Sequence, residues 1–214
     1  KMRSYGVSDD FFMYDDSPSA RVGIYYYENG AYPRKPKVIY DRANSSFYSL
    51  KIDEIPEKAY TASRCFHTSG ITLALSPKVR ETTIEMIKRF KAAGTLVSFD
   101  VNFRGNLWTG EEAKECIEQI LPYVDIFFCS EDTARLTFKK TGTAREMMKS
   151  FTEEYPISIV ASTQRIVHSP KSHTFGSIIY DARKDIYYEE EPYRDIDVVD
   201  RIGSGDAYIS GALY

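Results

Sequence analysis

The chain has 214 residues, of which 43% are hydrophobic, enough for one or two domains with a sizeable core. Its 28 basic and 31 acidic residues leave no excess of positive charge, which argues against nucleic-acid binding. No apolar run approaches the roughly 20 residues of a membrane helix and no signal segment stands at the start, so the expectation is a cytoplasmic protein. The widely spaced Cys65, Cys116 and Cys129 are expected to be reduced, and no metal-ligand spacing is present.

The amino-terminal part of the chain is rich in β-forming residues. Residues 20–27 and 37–41 read as strands, with turn-forming glycine and proline residues between them. This pattern predicts a small antiparallel sheet. From Arg64 onward, short apolar runs alternate with amphipathic stretches, which is typical of a parallel sheet with crossover helices.

Helix starts are marked by local capping chemistry. Ser76 can cap a helix that has Pro77 at its first position and ends at Gly94. Residues 109–112 and 143–146 each begin with threonine and end with glutamate, the pattern of a capping box. Helices are therefore predicted to start at all three places.

Apolar and alternating runs predict the remaining strands. They cover residues 65–68, 95–100, 126–129, 157–162, 175–180, 185–189 and 196–199. The two runs at 175–180 and 185–189 resemble a β-hairpin. His168 and His173 flank a polar Ser-Pro-Lys-Ser stretch that predicts a solvated loop.

Residues 200–206 read Asp-Arg-Ile-Gly-Ser-Gly-Asp, a glycine turn between a predicted strand and a predicted helix. Two glycines let backbone N–H groups point inward, and a helix starting at Asp206 adds the positive end of its dipole. Gly203, Ser204 and Gly205 could thus form an anion hole for a transferring phosphoryl group, with Asp206 as the base that deprotonates a substrate alcohol. The alternative is an ordinary helix capped by Asp206.

Three motifs in this order resemble the ribokinase-like (PfkB) carbohydrate kinases. Residues 200–206 are similar to that family's Asp-x-x-Gly-Ala-Gly-Asp turn, with Ser204 in place of alanine. Residues 98–104 contain a similar Asp-x-Asn-x-Arg run. Its continuation to Trp108, together with residues 69–76, most resembles the 2-keto-3-deoxygluconate kinases of that family.

The resemblance implies a ribokinase-like α/β fold. In such a fold a parallel sheet carries helices on both faces, and a small β-sheet forms a lid over the sugar. The expected division is residues 1–19 as part of the main domain, 20–62 mainly as the lid and 63–214 as the main domain. The chain is expected to be incomplete at both ends.

The resemblance also implies transfer of the γ-phosphoryl group of ATP, with Mg²⁺, to a hydroxyl of a sugar acid. The expected sugar acid is 2-keto-3-deoxygluconate. The implied substrate-binding residues are Tyr25, Tyr40, Arg42, Ile71 and Arg104. Guanidinium and tyrosine hydroxyl groups would bind the carboxylate of the sugar acid through charge-assisted hydrogen bonds. The alternatives are tyrosines that only cover the sheet and arginines that only form surface ion pairs.

The segments expected to bind the nucleotide depart from the family pattern. Thr133 stands where the family often has a glutamate that helps to organise magnesium, and residues 162–165 replace a glycine-containing turn. Ser130, Ser162 and Gln164 are the implied nucleotide-binding residues. Ligands bind beyond the carboxyl ends of strands in such sheets, which is where Ser130 is predicted to lie.

The expected partners are a small sugar acid, ATP and other copies of the chain, which form a homodimer or a larger homo-oligomer through the lid. No nucleic acid or membrane partner is expected. Two other readings remain open. One is a kinase of the same family for a neutral sugar or a nucleoside, and the other is a catalytically silent sugar-binding protein that kept the fold.

Overall fold

The computed structural model describes residues 2–31, 33–34 and 36–214. The strands are β1 (Ile24–Glu28), β2 (Lys37–Asp41), β3 (Cys65–Ser69), β4 (Leu96–Asp100), β5 (Ile126–Phe128), β6 (Ile159–Ser169), β7 (Ser172–Asp181), β8 (Ile186–Glu189) and β9 (Tyr193–Asp197). The α-helices are α1 (Gly70–Ala74), α2 (Pro77–Ala92), α3 (Gly110–Glu118), α4 (Glu131–Leu136), α5 (Ala144–Glu154) and α6 (Ser204–Leu213). Short 3₁₀ turns lie at Arg3–Tyr5, Ser46–Ser49, Ile52–Glu54, Glu57–Thr61 and Leu121–Tyr123.

The chain divides into two compact units. The first unit comprises Lys1–Ile24 and Asp41–Asp125, and the second comprises Tyr25–Tyr40 and Ile126–Tyr214. Each unit combines a parallel strand pair with helices. The domain boundaries predicted from the sequence, 1–19, 20–62 and 63–214, stay a prediction.

In the first unit, β3 and β4 pair in parallel and α2 lies in the connection between them. The hydroxyl of Ser76 accepts a hydrogen bond from the N–H of Val79 at 3.2 Å, so the predicted cap and helix start are confirmed. Val79, Ile87 and Phe90 are among the side chains that α2 buries. The helix stops just before Gly94, whose φ of 83° is the left-handed conformation that favours glycine.

One carboxylate fastens β4 in the first unit. The N–H of Val97 donates to Oδ2 of Asp125 at 2.9 Å, and the ammonium of Lys91 at the end of α2 donates to Oδ1 at 2.6 Å. Because Asp125 is buried, both of its oxygens need partners, and the strand and the helix each supply one.

In the second unit, β5 and β6 pair in parallel, and β7 pairs antiparallel with β6, β8 and β9. The β6–β7 hairpin is much longer than predicted. It pairs Ile159 with Asp181 at one end and Ser169 with Ser172 at the other, around a turn at residues 170–171. The prediction of a loop around His168 and His173 was wrong, because cross-strand pairing supplies partners that the polar sequence does not reveal.

The helix after the glycine turn also differs from the prediction. It begins at Ser204 with Gly203 at the N-cap, so Asp206 is its third residue and not its cap. The preceding strand β9 ends at Asp197, short of the predicted end at residue 199. Gly203 adopts φ 76° and ψ 2°, a left-handed conformation that glycine accepts readily. The helix therefore begins two residues before Asp206, where the sequence predicted its start.

The three cysteines are free thiols, as the sequence predicted. Burial raises the pKa of the Cys65 and Cys116 thiols above the ordinary value, which keeps both protonated at neutral pH. Within the described ranges, no helix has both the length and the apolar character to cross a membrane.

Candidate active site at the start of helix α6

The glycine turn is held by its own backbone and by one carboxylate. The N–H of Ile202 donates to Oδ1 of Asp200 at 2.8 Å, and the N–H of Ser204 donates to the carbonyl of Arg201 at 3.3 Å. The N–H of Ala207 then makes the first helical bond, to the carbonyl of Gly203 at 2.8 Å. Because a helix cannot pair its first N–H groups internally, the turn presents donors to whatever lies above it.

The space above this turn is open. A Cβ placed on Gly205 would meet nothing within 4 Å, and one placed on Gly203 would meet only Oδ2 of Asp206, at 4.0 Å. Asp206 itself is exposed. Its carboxylate therefore stands beside the free donors of the helix start, where it can accept a proton from a bound alcohol while those donors face an anion.

Helix α6 is fixed to the sheet of the second unit by apolar contacts. Ile209 is 6% exposed and packs with Phe128 of β5 and Ala161 of β6. The ring of Tyr208 meets Phe128 and Phe175 edge-on, each at 6.1 Å between centroids. Burial raises the pKa of the Tyr208 phenol, so it remains protonated. These contacts give the glycine turn a rigid base.

Ser130 caps helix α4 and is engaged with Thr133. Its Oγ accepts from the N–H of Thr133 at 3.3 Å and lies 2.9 Å from that residue's Oγ1. Glu131 is paired with Arg135 at 2.8 Å, whereas Asp132 is exposed at the same helix start. Because Asp132 is exposed and Glu131 is paired, Asp132 is the candidate for the carboxylate that Thr133 does not supply.

Ser162 and Gln164 lie in strand β6 rather than in a turn. Ser162 is 3% exposed, and its Oγ has no hydrogen-bond partner among the described residues. It lines a small cavity together with Cys129 and Met147. Gln164 is half-buried and pairs with Gly176 of β7.

The two predicted lid tyrosines lie together. The rings of Tyr25 in β1 and Tyr40 in β2 contact each other at 6.4 Å between centroids, and these strands form a two-stranded sheet. Because side chains alternate along a strand, Tyr26 and Ile39 lie on the opposite face. Tyr26 is 60% exposed and Ile39 is 53% exposed, so that face presents apolar surface to solvent.

The remaining predicted substrate residues belong to the first unit. Ile71 lies in α1, one residue after Gly70, where a Cβ would come within 2.1 Å of the Val101 carbonyl oxygen. Arg104 is half-buried just after β4, and its Nη1 donates to the carbonyl of Phe103 at 3.3 Å. Arg42 is also half-buried, directly after β2. The substrate roles of these residues stay a prediction.

Sequence reasoning assigned no binding role to three basic residues of the second unit. Arg165 and His173 lie in the β6–β7 hairpin, and Arg201 precedes the glycine turn. His173 is only 5% exposed. Arg201 was visible as part of the motif, but its relation to the other two depends on the strand register, which the sequence does not show.

Comparison with known proteins assigns the family. The whole chain, residues 1–214, matches the model of the pfkB family of carbohydrate kinases. A 2-dehydro-3-deoxygalactonokinase of Haloferax volcanii is 33% identical over 213 residues, covering 100% of this chain and 63% of that protein. The protein described here therefore belongs to the pfkB carbohydrate kinase family.

Solved structures of the family share the fold. A 2-dehydro-3-deoxygluconokinase from Thermotoga maritima superposes with a TM-score of 0.88 at 30% identity, over 99% of this chain and 66% of that one. A pfkB family carbohydrate kinase from Listeria grayi gives a TM-score of 0.81 at 32% identity, over 91% and 61%. The expected α/β ribokinase-like fold is confirmed. The chain spans less than two thirds of the length of each of these three relatives.

The helix start fits the terminal phosphate of a nucleotide, because it offers unpaired N–H donors and open space above Gly205. Within the described ranges there is no cluster of three or more histidine, cysteine, aspartate or glutamate side chains arranged to hold a metal ion. Mg²⁺ at nucleotide sites is commonly held by one or two carboxylates together with phosphate oxygens and water. Asp132 could supply such a carboxylate.

Proposed function

We propose that the intact protein transfers the γ-phosphoryl group of ATP to a hydroxyl of a 2-keto-3-deoxy sugar acid. The observation that carries the proposal is the start of α6, where an uncapped glycine turn lies beside the exposed carboxylate of Asp206. Relatives named as kinases of 2-dehydro-3-deoxygalactonate and 2-dehydro-3-deoxygluconate, at 33% and 31% identity, support the substrate class.

Asp206 acts as the general base in this proposal. It accepts the proton of the attacking hydroxyl as the oxygen approaches phosphorus. The unpaired backbone N–H groups at the start of α6, in the turn formed by Gly203, Ser204 and Gly205, stabilise the negative charge that builds up on the phosphoryl oxygens. The N–H of Ser204 is not one of them, because it donates to the carbonyl of Arg201. Mg²⁺ held through Asp132 would neutralise nucleotide charge when it is bound. The other carboxylate of this turn, Asp200, accepts the N–H of Ile202 and holds the turn in shape.

The carboxylate of the sugar acid would be bound by Arg42 and Arg104, with Tyr25 and Tyr40 as lid contacts and Ile71 as an apolar one. Guanidinium groups suit this role because they hold a carboxylate through paired, charge-assisted hydrogen bonds. The lid would also exclude water, which protects the phosphoryl group from hydrolysis.

The test is a substrate profile of the intact protein with ATP and Mg²⁺. 2-Keto-3-deoxygluconate and its galacto epimer should both be phosphorylated far better than fructose, ribose or nucleosides. In Arg42→Ala and Arg104→Ala, kcat/KM for the sugar acid should fall roughly ten- to a hundredfold while residual use of a neutral sugar changes little. Equal losses on both kinds of substrate would reject the carboxylate assignment.

A catalytically silent sugar-binding protein is the second candidate. It is supported by Thr133, whose hydroxyl is engaged with Ser130 and supplies no carboxylate. Sugar-acid binding measured by calorimetry without any ATP turnover would favour this candidate over the kinase.

The outer face of the lid sheet is the proposed contact between two copies of the chain. Tyr26 and Ile39 expose apolar surface there, on the face opposite Tyr25 and Tyr40. Sedimentation of the intact protein should show a dimer that Tyr26→Ser with Ile39→Ser dissociates. A dimer that survives both changes would place the contact elsewhere.

A further inference from the structure

Basic side chains gather on the strand face that α6 covers. In the β6–β7 hairpin, Arg165 pairs with Phe175 and Val167 pairs with His173. Directly opposed residues, and residues two apart in one strand, lie on the same face of a sheet. Phe175 contacts the ring of Tyr208 in α6. Arg165 and His173 therefore lie on the α6 side of the hairpin.

Arg201 joins this side from the turn that leads into α6. Its carbonyl accepts the N–H of Ser204, the first residue of the helix. Its Nε is buried, and so is Nε2 of His173. Neither atom has a hydrogen-bond partner within the described part of the chain. Leaving buried polar atoms unpaired costs free energy, so the Nε–H of Arg201 calls for an acceptor and Nε2 of His173 calls for a hydrogen-bond partner.

The charges that act on His173 have one sign. Burial lowers the pKa of its imidazole, and Arg201, Arg165 and His168 lower it further. Burial and Arg201 likewise lower the pKa of the Arg165 guanidinium, although part of that side chain is open to solvent. Clustered like charges repel each other and disfavour the compact state. An anion bound between Arg165 and Arg201 would reverse that repulsion.

We propose that Arg165, Arg201 and the buried ring of His173 form an anion-binding cluster that takes the polyphosphate of the nucleotide. This inference rests on the proposed function. A polyphosphate suits two guanidinium groups beside a glycine turn better than a carboxylate does, because it carries several negative charges along an extended group. Residues 162–165 have no glycine-containing turn. The charge of the Arg165 side chain would supply the phosphate contact that the backbone of such a turn would otherwise make.

Calorimetry on the intact protein tests the cluster with ADP, pyrophosphate and the sugar acid as separate ligands. In Arg165→Ala and Arg201→Ala the Kd for ADP and for pyrophosphate should rise roughly ten- to a hundredfold, and the Kd for the sugar acid should stay within about threefold. Arg165→Lys, which keeps the charge, should bind ADP more tightly than Arg165→Ala. Arg183→Ala is the matched control, because Arg183 is an exposed arginine in the β7–β8 turn of the same unit.

Salt dependence and stability give second readouts. The ADP affinity of the wild-type protein should fall more steeply with added NaCl than that of Arg165→Ala. Both alanine variants should be at least as thermally stable as the wild type without ligand, because they relieve the repulsion between the two guanidinium groups.

ADP affinities within about threefold of wild type in both folded variants would overturn the cluster. Arginine-dependent ADP binding without sugar phosphorylation would instead overturn the proposed function and leave the cluster standing.

Discussion

Among the helices that the structure describes, α3, α5 and α6 carry an acidic residue at the third position, and of these three α6 alone has no capping box. In α3, Thr109 accepts the N–H of Glu112 at 3.2 Å, and the Glu112 carboxylate accepts the N–H of Thr109 at 2.7 Å. Helix α5 repeats this exchange between Thr143 and Glu146 at 3.3 Å and 2.7 Å.

In α6 the third residue is Asp206, but the N-cap is Gly203, which has no hydroxyl to offer. The reciprocal bonds of the capping box cannot form. At α3 and α5 the capping box pairs the carboxylate and one helix donor within the chain, and at α6 the proposed function assigns the carboxylate and the unpaired donors to a ligand. If the proposed function holds, a structural and a catalytic helix start in this chain differ by one side chain at the N-cap.

The largest effect is expected from Asp206→Asn in the intact protein. Asparagine keeps the shape of the side chain but cannot take a proton, so turnover should fall by about 10²- to 10⁴-fold. Binding of nucleotide and sugar acid should change little. The matched control is Glu146→Gln, the same change of charge at the same helix position, which should leave turnover intact. Single-turnover rates close to wild type in Asp206→Asn, with unchanged Tm, would contradict the role of Asp206 as the base.

Gly205→Ala should move stability and activity in opposite directions. The added methyl group meets nothing within 4 Å, and alanine favours the helix over glycine by roughly 0.5 to 1 kcal/mol. The same methyl group occupies the space proposed for the phosphoryl group, so kcat should fall roughly tenfold or more. Urea unfolding and steady-state kinetics on one preparation measure both. A variant that is more stable and equally active would show that the space above Gly205 is not used.

Removing a capping hydroxyl should cost stability without touching catalysis. Thr109→Ala and Thr143→Ala each remove the hydroxyl that accepts the backbone N–H of the glutamate in the capping box. Each should lower the free energy of unfolding by about 1 kcal/mol. Thr→Ser at either position keeps the hydroxyl and serves as the control. If either alanine variant changed kcat at unchanged fold, the separation between structural and catalytic helix starts would be wrong.

The smallest effect concerns acid pH. The backbone N–H of Thr109 lowers the pKa of Glu112 below its ordinary value, and Thr143 does the same for Glu146. A carboxylate with a lowered folded-state pKa contributes stability above its unfolded pKa, and that contribution is lost as pH falls through the folded pKa. Glu112→Gln with Glu146→Gln should therefore flatten the fall in Tm on acidification. If Tm fell with pH as steeply in the double variant as in the wild type, these capping boxes would add no pH-dependent stability.

The features that the sequence predicts best are those made by neighbouring residues. The Ser76 cap and both capping boxes follow from hydroxyl and carboxylate groups three residues apart, so local chemistry decides them. The start of α6 was placed two residues late, because Asp206 is a good capping residue and the left-handed φ of Gly203 is invisible in the sequence.

Features set by distant pairing could not be predicted. The residues around His168 and His173 read as a loop, since serine, proline and lysine disfavour strands, but β6 and β7 pair through this stretch. The proximity of Arg165 and Arg201 to His173 depends on that register and on α6 lying over the same face. The glycine turn could be recognised from the sequence because its residues are contiguous in the chain, whereas the catalytic role of Asp206 stays a prediction.

The length of the β6–β7 hairpin bears on the order in which the chain folds. Its strands are joined by a turn at residues 170–171, so each cross-strand contact closes only a short loop, and hairpins form in about 1–10 μs. The parallel pairing of β5 with β6 must wait until the whole segment containing α4 and α5 has been gathered between them. We therefore expect the hairpin to be among the earliest ordered pieces of the second unit and a template onto which α6 docks.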